Sequence, residues 1–259
     1  MGEITKIGWT DHTFNGWIGC TEVQPGCDNC YARVLNNRMG WVTWGAGQPR
    51  RRTVPANWRQ PLKWDRQACE AGVMAKTFAF SLADVFDTEV PEEWRLDFFT
   101  LMRKTAFTYW QLVTKRPAVA RQYFDTDLIP WGRTWLIVSV DHNKYLYKAE
   151  QIADAPAIVK GISWEPALRP LDVTRLPRAI TWLIIGGESR QAGQCRPFDL
   201  EWVRQALARR PKHLKVFVKQ LGGNILDSGA PLDFDGKRDG HNADPSLWPE
   251  WLNVQEFPI

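Results

Sequence analysis

Six short apolar runs punctuate the chain at residues 77–81, 109–114, 135–140, 157–163, 182–186 and 214–219. Most are nearly continuous in apolar character, as strands buried on both faces of a parallel sheet are. Their starts fall roughly 25 residues apart, the length of a strand plus a returning helix. Residues 9–18, Trp-Thr-Asp-His-Thr-Phe-Asn-Gly-Trp-Ile, mix β-branched and aromatic side chains and read as a further strand at the beginning. Between the runs lie helical patterns. Tyr31, Val34, Leu35 and Met39 recur at helical spacing and stop at Gly40. Residues 91–102 open with proline and two glutamates, as a first helical turn does, and residues 200–207 carry a third amphipathic stretch. The pattern predicts an α/β fold, a partial or open (β/α) barrel of about six to seven parallel strands, with a doubly wound sheet as the alternative.

Each predicted strand hands over to polar residues. The ends carry Ser81 with Asp84, Lys115 with Arg116, Ser139 with Asp141 and His142, Ser163 with Glu165, Gly186-Gly187-Glu188, and Lys219 with Gln220. In a parallel barrel these ends share one face, where sites are built. Residues 41–76 contain Gly45, Gly47, Pro49, Pro55 and Pro61 and read as an irregular insertion over that face, with Arg50-Arg51-Arg52 as its basic run, on a solvated surface or in contact with a phosphate near the site. The stretch from about 222 to 259 reads as an irregular C-terminal extension that wraps the barrel or closes its open side. No linker suggests a second domain, so residues 1–259 are expected to form one unit.

The chemistry concentrates in the loop after the first strand, where Cys20, Cys27 and Cys30 lie within eleven residues. Pro25-Gly26 turns the first thiol back toward the Cys-x-x-Cys pair. Spacing alone leaves open an iron–sulfur cluster, a Cys3His zinc site with His12 as fourth ligand, and simple buried thiols. Six polar strand ends around the loop favour a catalytic cluster, because a structural zinc knuckle has no use for them. Cys69 and Cys195 stand apart and read as packing residues.

Composition sharpens this only a little. The net charge of +4 is compatible with nucleic acid or nucleotides, and fifteen tryptophans offer stacking faces, though tryptophan at a strand is more often core. No apolar run is long enough to span a bilayer and the first residues do not resemble a signal peptide, so a cytoplasmic location is expected. An odd number of cysteines, three of them clustered, also suits a reducing compartment.

Several segments together resemble the phage Gp37/Gp68 family, a radical-SAM-like group of three-cysteine proteins: residues 9–15 leading to Gly19-Cys20, residues 26–32, 112–117, 163–166 and 186–189, and Phe217-Val-Lys-Gln220. The resemblance spans about residues 4–222. It implies a [4Fe–4S] cluster on Cys20, Cys27 and Cys30, with S-adenosyl-L-methionine (SAM) on the fourth iron, cleaved on reduction to a 5′-deoxyadenosyl radical. Two features depart from the usual radical-SAM pattern: six residues rather than three separate the first two cysteines, and Asn29 stands where an aromatic residue is usual. A Gly-Gly-Glu element normally follows the cluster loop directly, whereas here Ser81 and Asp84 hold that place and Gly186-Gly187-Glu188 ends a later strand. Ser81 and Asp84 are therefore the candidates for the SAM amino group, with Ser139, Asp141, Gly186, Gly187 and Glu188 also assigned to SAM.

Glu165, Glu188 and Lys115 are the candidate catalytic side chains. The implied substrate is a nucleotide or nucleic-acid base, with a hypermodified thymine in phage DNA as the specific candidate, whose base would have to leave the stack to enter a barrel mouth. The implied partners are a reductant such as flavodoxin or ferredoxin. The competing function is a non-catalytic zinc or iron–sulfur protein that binds nucleic acid.

Overall fold

The computed structural model describes residues 5–189, 195–232 and 241–259. Seven strands form one sheet in the order His12–Phe14, Ala75–Ala79, Thr108–Thr114, Thr134–Ser139, Val159–Trp164, Trp182–Gly186 and Lys215–Gln220, and every neighbouring pair is parallel. Strand order follows chain order, as a half-barrel requires and a doubly wound sheet does not. The first and last strands are not paired with each other, so the barrel is open.

Alternation along the strands explains the curl. Leu136 and Val138 face outward into the layer that holds the helices Glu92–Lys104 and Leu200–Arg209, whereas Trp135 and Ile137 face inward. The inward set brings Trp9 onto Phe78 at 4.8 Å and onto Trp182 at 6.0 Å between ring centroids. Trp9 precedes the first strand and Trp182 opens the sixth, so their contact requires the sheet to wrap round on itself. The tryptophans are thus mostly core: Trp17, Trp110, Trp135, Trp164 and Trp182 are among the largest fully buried side chains.

A chain segment covers the free edge at the open side. Val254–Glu256 runs antiparallel to the free edge of the last strand, with Val218 N–H donating to Val254 O at 2.8 Å and Glu256 N–H to Val216 O at 2.9 Å. Phe257 then packs on Trp182 and Phe217 at the strand starts, beneath the ammonium of Lys76. The extension from 222 thus covers the edge of the last strand. It is also less irregular than expected, since Ile225–Asp227 and Ala230–Leu232 pair as a hairpin beside Phe198–Asp199.

Two other expectations are corrected. Residues 9–18 do not form one strand: after His12–Phe14 the chain leaves the sheet, and Trp17–Ile18 pairs antiparallel with Arg51–Arg52. The stretch 41–76 is not irregular throughout, because it contains the short helix Pro55–Trp58 and the twelve-residue helix Gln60–Ala71. Pro61 lies in the first turn of the latter, where its missing N–H has no intrahelical partner to lose. Cys69, on that helix, is exposed rather than packed, while Cys195 is buried. No helix among the described residues is long and apolar enough to cross a membrane.

Candidate active site

Every strand after the first delivers a polar end to one cavity of about 190 Å³. Ser81, Asp84, Lys115, Arg116, Ser139, Ser163, Glu165, Gly187, Glu188, Lys219 and Gln220 all line it. Its floor is the aromatic barrel interior, through Trp9 and Phe78. Cys20, Cys27 and Cys30 line the same cavity. The sheet line continues to Gly19, whose N–H donates to Leu82 O at 3.2 Å, so the cysteine loop starts at the C-terminal edge of the first strand. Gly19 has φ +111°, a conformation that favours glycine, and Cys20 follows that turn. Cys27 ends the single turn Pro25–Cys27, and Cys30 is the N-cap of the helix Tyr31–Met39, which Gly40 closes in the left-handed region.

Each cysteine has its own clamp. Behind Cys20, two arginines converge on Thr21: Arg50 donates to its hydroxyl at 2.6 Å and Arg116 to its carbonyl at 2.7 Å. Arg116 also lies 3.6 Å from the Cys20 sulfur. Their charges are met by Asp87, 2.7 Å from Arg50 and 3.4 Å from Arg116, and by Asp84, 3.2 Å from Arg116. The turn before Cys27 is held by Asp141, which accepts from Gly26 N–H at 2.7 Å and from Gln24 Nε2 at 3.2 Å. Lys148, buried, donates to Gln24 Oε1 and to Lys115 O. Around Cys30, Glu188 accepts from Asn29 Nδ2 at 2.9 Å and pairs with Arg196, whose guanidinium reaches Pro25 O at 3.0 Å and Asp28 at 3.2 Å. A loop of eleven residues with little regular structure is thereby fixed at three points by largely buried ionic groups.

These placements sort the residues singled out from the sequence. Glu188 and Asp84 line the cavity, yet their carboxylates are occupied: Asp84 accepts from the Thr114 hydroxyl at 2.8 Å and from the backbone N–H groups of Phe86 and Lys115 at 3.0 and 2.9 Å, besides meeting Arg116. Asp141 is buried under the loop and Gly186 lies beside the cavity; neither lines it. The two glycines answer close approaches of chain to chain. A Cβ on Gly187 would overlap the Leu221 carbonyl, and one on Gly186 would run into the Glu165 carboxylate. Ser81, Ser139 and Ser163 present hydroxyls; that of Ser81 accepts from Asn15 Nδ2 at 2.9 Å. Glu165 stands 2.9 Å from the Lys219 ammonium without hydrogen-bond alignment of that oxygen. His12 is elsewhere, its ring stacked on Trp64 at 4.5 Å.

Among the described residues, Lys115 is the cavity cation without an ion pair. Burial lowers its pKa, but Cys27, Cys30 and Cys20 more than offset this and the net direction is upward. Cys20 is pushed up to about 12, first by burial and then by Asp84, with Arg116 opposing. Lys148 is lowered to about 8 by burial and by the nearby Lys115. Glu188 lies below the ordinary carboxylate range: burial raises it, and the hydrogen bonds from Arg196 and Asn29 win.

Sequence reading missed Asp87, Lys148, Gln24 and Arg196, and its placement of Arg50 on a solvated surface is corrected, since that guanidinium is buried on Asp87. All are ordinary polar residues in the sequence, and none carries a motif; only the fold brings them beneath the cysteine loop.

The donor set can be tested against a metal group. Among the described residues no three His, Cys, Asp or Glu side chains are grouped so as to hold one metal ion, although three thiols line one cavity. A mononuclear zinc draws its sulfurs to about 2.3 Å from one centre, whereas a cluster spreads its cysteines over separate irons. Three thiols lining one space, beside Lys115, which makes no ion pair among the described residues, supply the cysteine ligands of a cluster with one iron left without a protein ligand.

A family model described as "Protein of unknown function (DUF5131)" matches residues 4–251. No curated protein sequence matches the chain. Among solved structures, a spore photoproduct lyase variant is similar at 15% identity and a TM-score of 0.46, over 82% of this chain and 65% of that one. Another, described as carrying bound AdoMet and dinucleoside spore photoproduct, is similar at 15% identity and a TM-score of 0.45, over 80% of this chain and 64% of that one. The chain thus spans a little under two thirds of the length of the lyase chains it matches.

Proposed function

We propose that this chain, which belongs to the DUF5131 family, is a radical SAM enzyme that acts on a nucleotide or a nucleic-acid base. The observation that carries the reading is the set of three separately clamped thiols around one cavity at the strand ends, with Lys115, which has no ion pair among the described residues, beside them. Cys20, Cys27 and Cys30 would hold a [4Fe–4S] cluster, leaving one iron without a protein ligand for SAM. When bound, that pair supplies one-electron reductive cleavage and a carbon radical able to take a hydrogen atom from substrate.

The chain's own residues position and shield. The clamps keep the thiols in place before any metal arrives, so binding does not have to order the loop. Lys115 offsets the negative charge of three thiolates and is placed to meet a carboxylate, and the hydroxyls of Ser81 and Ser139 offer weaker polar contacts. The Trp9 and Phe78 floor excludes water. Glu165 and Lys219 face the cavity from the strands on either side of Trp182–Gly186 and are the side chains best placed to orient a substrate. The resemblance to phage Gp37/Gp68 proteins agrees with this reading. It calls for a low-potential reductant such as flavodoxin or ferredoxin, and for a reducing compartment such as a host cytoplasm.

The test is anaerobic incubation of reconstituted protein with SAM, dithionite, and nucleotides or DNA, followed by mass spectrometry of SAM products and bases. Wild type is expected to release 5′-deoxyadenosine and Cys27→Ala to release none. Absence of cleavage in wild type, or undiminished cleavage in the variant, would overturn the reading.

A further inference from the structure

A second chamber of about 1190 Å³ opens beside the cysteine cavity, at the open side of the half-barrel. The two share Tyr31, Phe78, Ser81, Ser189, Lys219 and Gln220 as a common wall, so a ligand in the larger one can extend a part of itself to the thiols. The charge of the chamber is one-sided. Lys6, Arg51, Arg52 and Lys219 line it, and no described aspartate or glutamate does.

Two of those cations are already used: Arg52 pairs with Asp97 at 2.7 Å and lies over the Trp58 ring at 4.5 Å, and Lys219 meets Glu165. Arg51 and Lys6 differ. Both are exposed, and neither has a side-chain partner among the described residues. Arg51 is held by its neighbours on either side: its strand pairs with Trp17–Ile18, Arg50 is anchored on Asp87, and Arg52 is pinned on Trp58. A guanidinium fixed at its base and left without a carboxylate is suited to a bidentate phosphate contact. Trp41, Tyr31 and Phe78 add aromatic surface beside it.

From this juxtaposition we propose that the larger chamber binds a nucleoside phosphate, its phosphate on Arg51 and Lys6 and its base extending past Ser81 and Lys219 toward the cysteine cavity. This rests on the reading of the site as one that acts on a nucleotide or base, and it adds which part of the substrate is recognised where. Uncharged nucleosides would then be poor ligands. The phosphate belongs either to a free nucleotide or to a strand, and the chemistry at Arg51 is the same for both.

Binding measured by calorimetry on reconstituted protein, without reductant, tests this apart from turnover. The probes are thymidine, thymidine 5′-monophosphate and a four-nucleotide oligothymidylate. The monophosphate or the oligonucleotide is expected to bind at least about tenfold more tightly than thymidine, and Arg51→Gln to remove about tenfold of that advantage, as loss of one charge-assisted contact does. Lys6→Gln should weaken the same probes and leave thymidine unaffected. Tighter binding of the oligonucleotide would assign the phosphate to a strand, and preference for the monophosphate to a free nucleotide. Equal affinity for thymidine and its phosphate, no binding of either phosphate probe, or Arg51→Gln and Lys6→Gln both indistinguishable from wild type would overturn the proposal. Phosphate-dependent binding in a protein that fails to cleave SAM would keep this assignment and remove the radical function; SAM cleavage without phosphate-dependent binding would do the reverse.

Discussion

Glu188 shows how a carboxylate at a strand end can serve a site by holding its walls. Its side chain is 5% exposed and is met by Arg196 and Asn29, so removing the guanidinium would leave a buried anion without its partner. Arg196→Met is expected to cost about 3 kcal/mol, and the double variant with Glu188→Gln clearly less than the two single losses added, as urea denaturation would measure. Lys148 gives a pH signature. Its folded pKa of about 8 lies below the ordinary lysine value of 10.5. Above about pH 10.5 the lysine is neutral in both states; between 10.5 and 8 the unfolded chain binds the extra proton, so stability falls as pH falls, and below 8 the penalty is constant. Wild type should therefore gain on Lys148→Met as pH rises from 8 to 10, by about 2 to 3 kcal/mol, a comparison in which thiol ionisation common to both proteins cancels. Equal pH slopes in the two proteins would contradict the buried, depressed lysine.

At the scale of elements, the insertion between the cysteine helix and the second sheet strand is the clearest case of one sequence run with three fates. Arg50 is fully buried on Asp87, Arg52 pairs with half-exposed Asp97, and Arg51 is exposed without a side-chain partner among the described residues. Arg50→Met is expected to destabilise by about 3 to 5 kcal/mol, because it strands Asp87 in the interior, whereas Arg51→Gln should stay within about 0.5 kcal/mol of wild type. Thermal unfolding of the two variants checks the contrast. The same segment explains why element reading succeeded unevenly. Strands such as Trp182–Gly186 announce themselves because both faces are buried and every position is apolar. The helix Gln60–Ala71 was hidden by Pro61, a residue that breaks helices in their interior but suits their first turn. The end of the first strand was hidden because its apolar residues continue through Trp17–Ile18, which pair with a partner more than thirty residues away in the chain.

For the whole molecule, a parallel half-barrel places six strand ends and a cysteine loop on one rim, and that convergence follows from topology once the strands are known. This is why the cavity-lining residues Ser81, Lys115, Ser139, Glu165 and Glu188 were legible in the sequence. What each of them bonds to was not, because Asp84, Asp141 and Glu188 take their partners from segments up to 159 residues distant. The second chamber was equally illegible, since Lys6, Trp41, Arg51 and Lys219 meet only through the open side of the barrel.

The measurement that goes most directly to the central claim is the low-temperature EPR spectrum of the anaerobically reconstituted, dithionite-reduced protein, recorded without and with SAM alongside iron and sulfide analysis. About four irons and four sulfides per chain, with a reduced-cluster signal that changes when SAM is added and is lost in Cys27→Ala, is the predicted result. One zinc per chain, or a cluster signal indifferent to SAM, would contradict a three-cysteine site with one iron left open to the cavity.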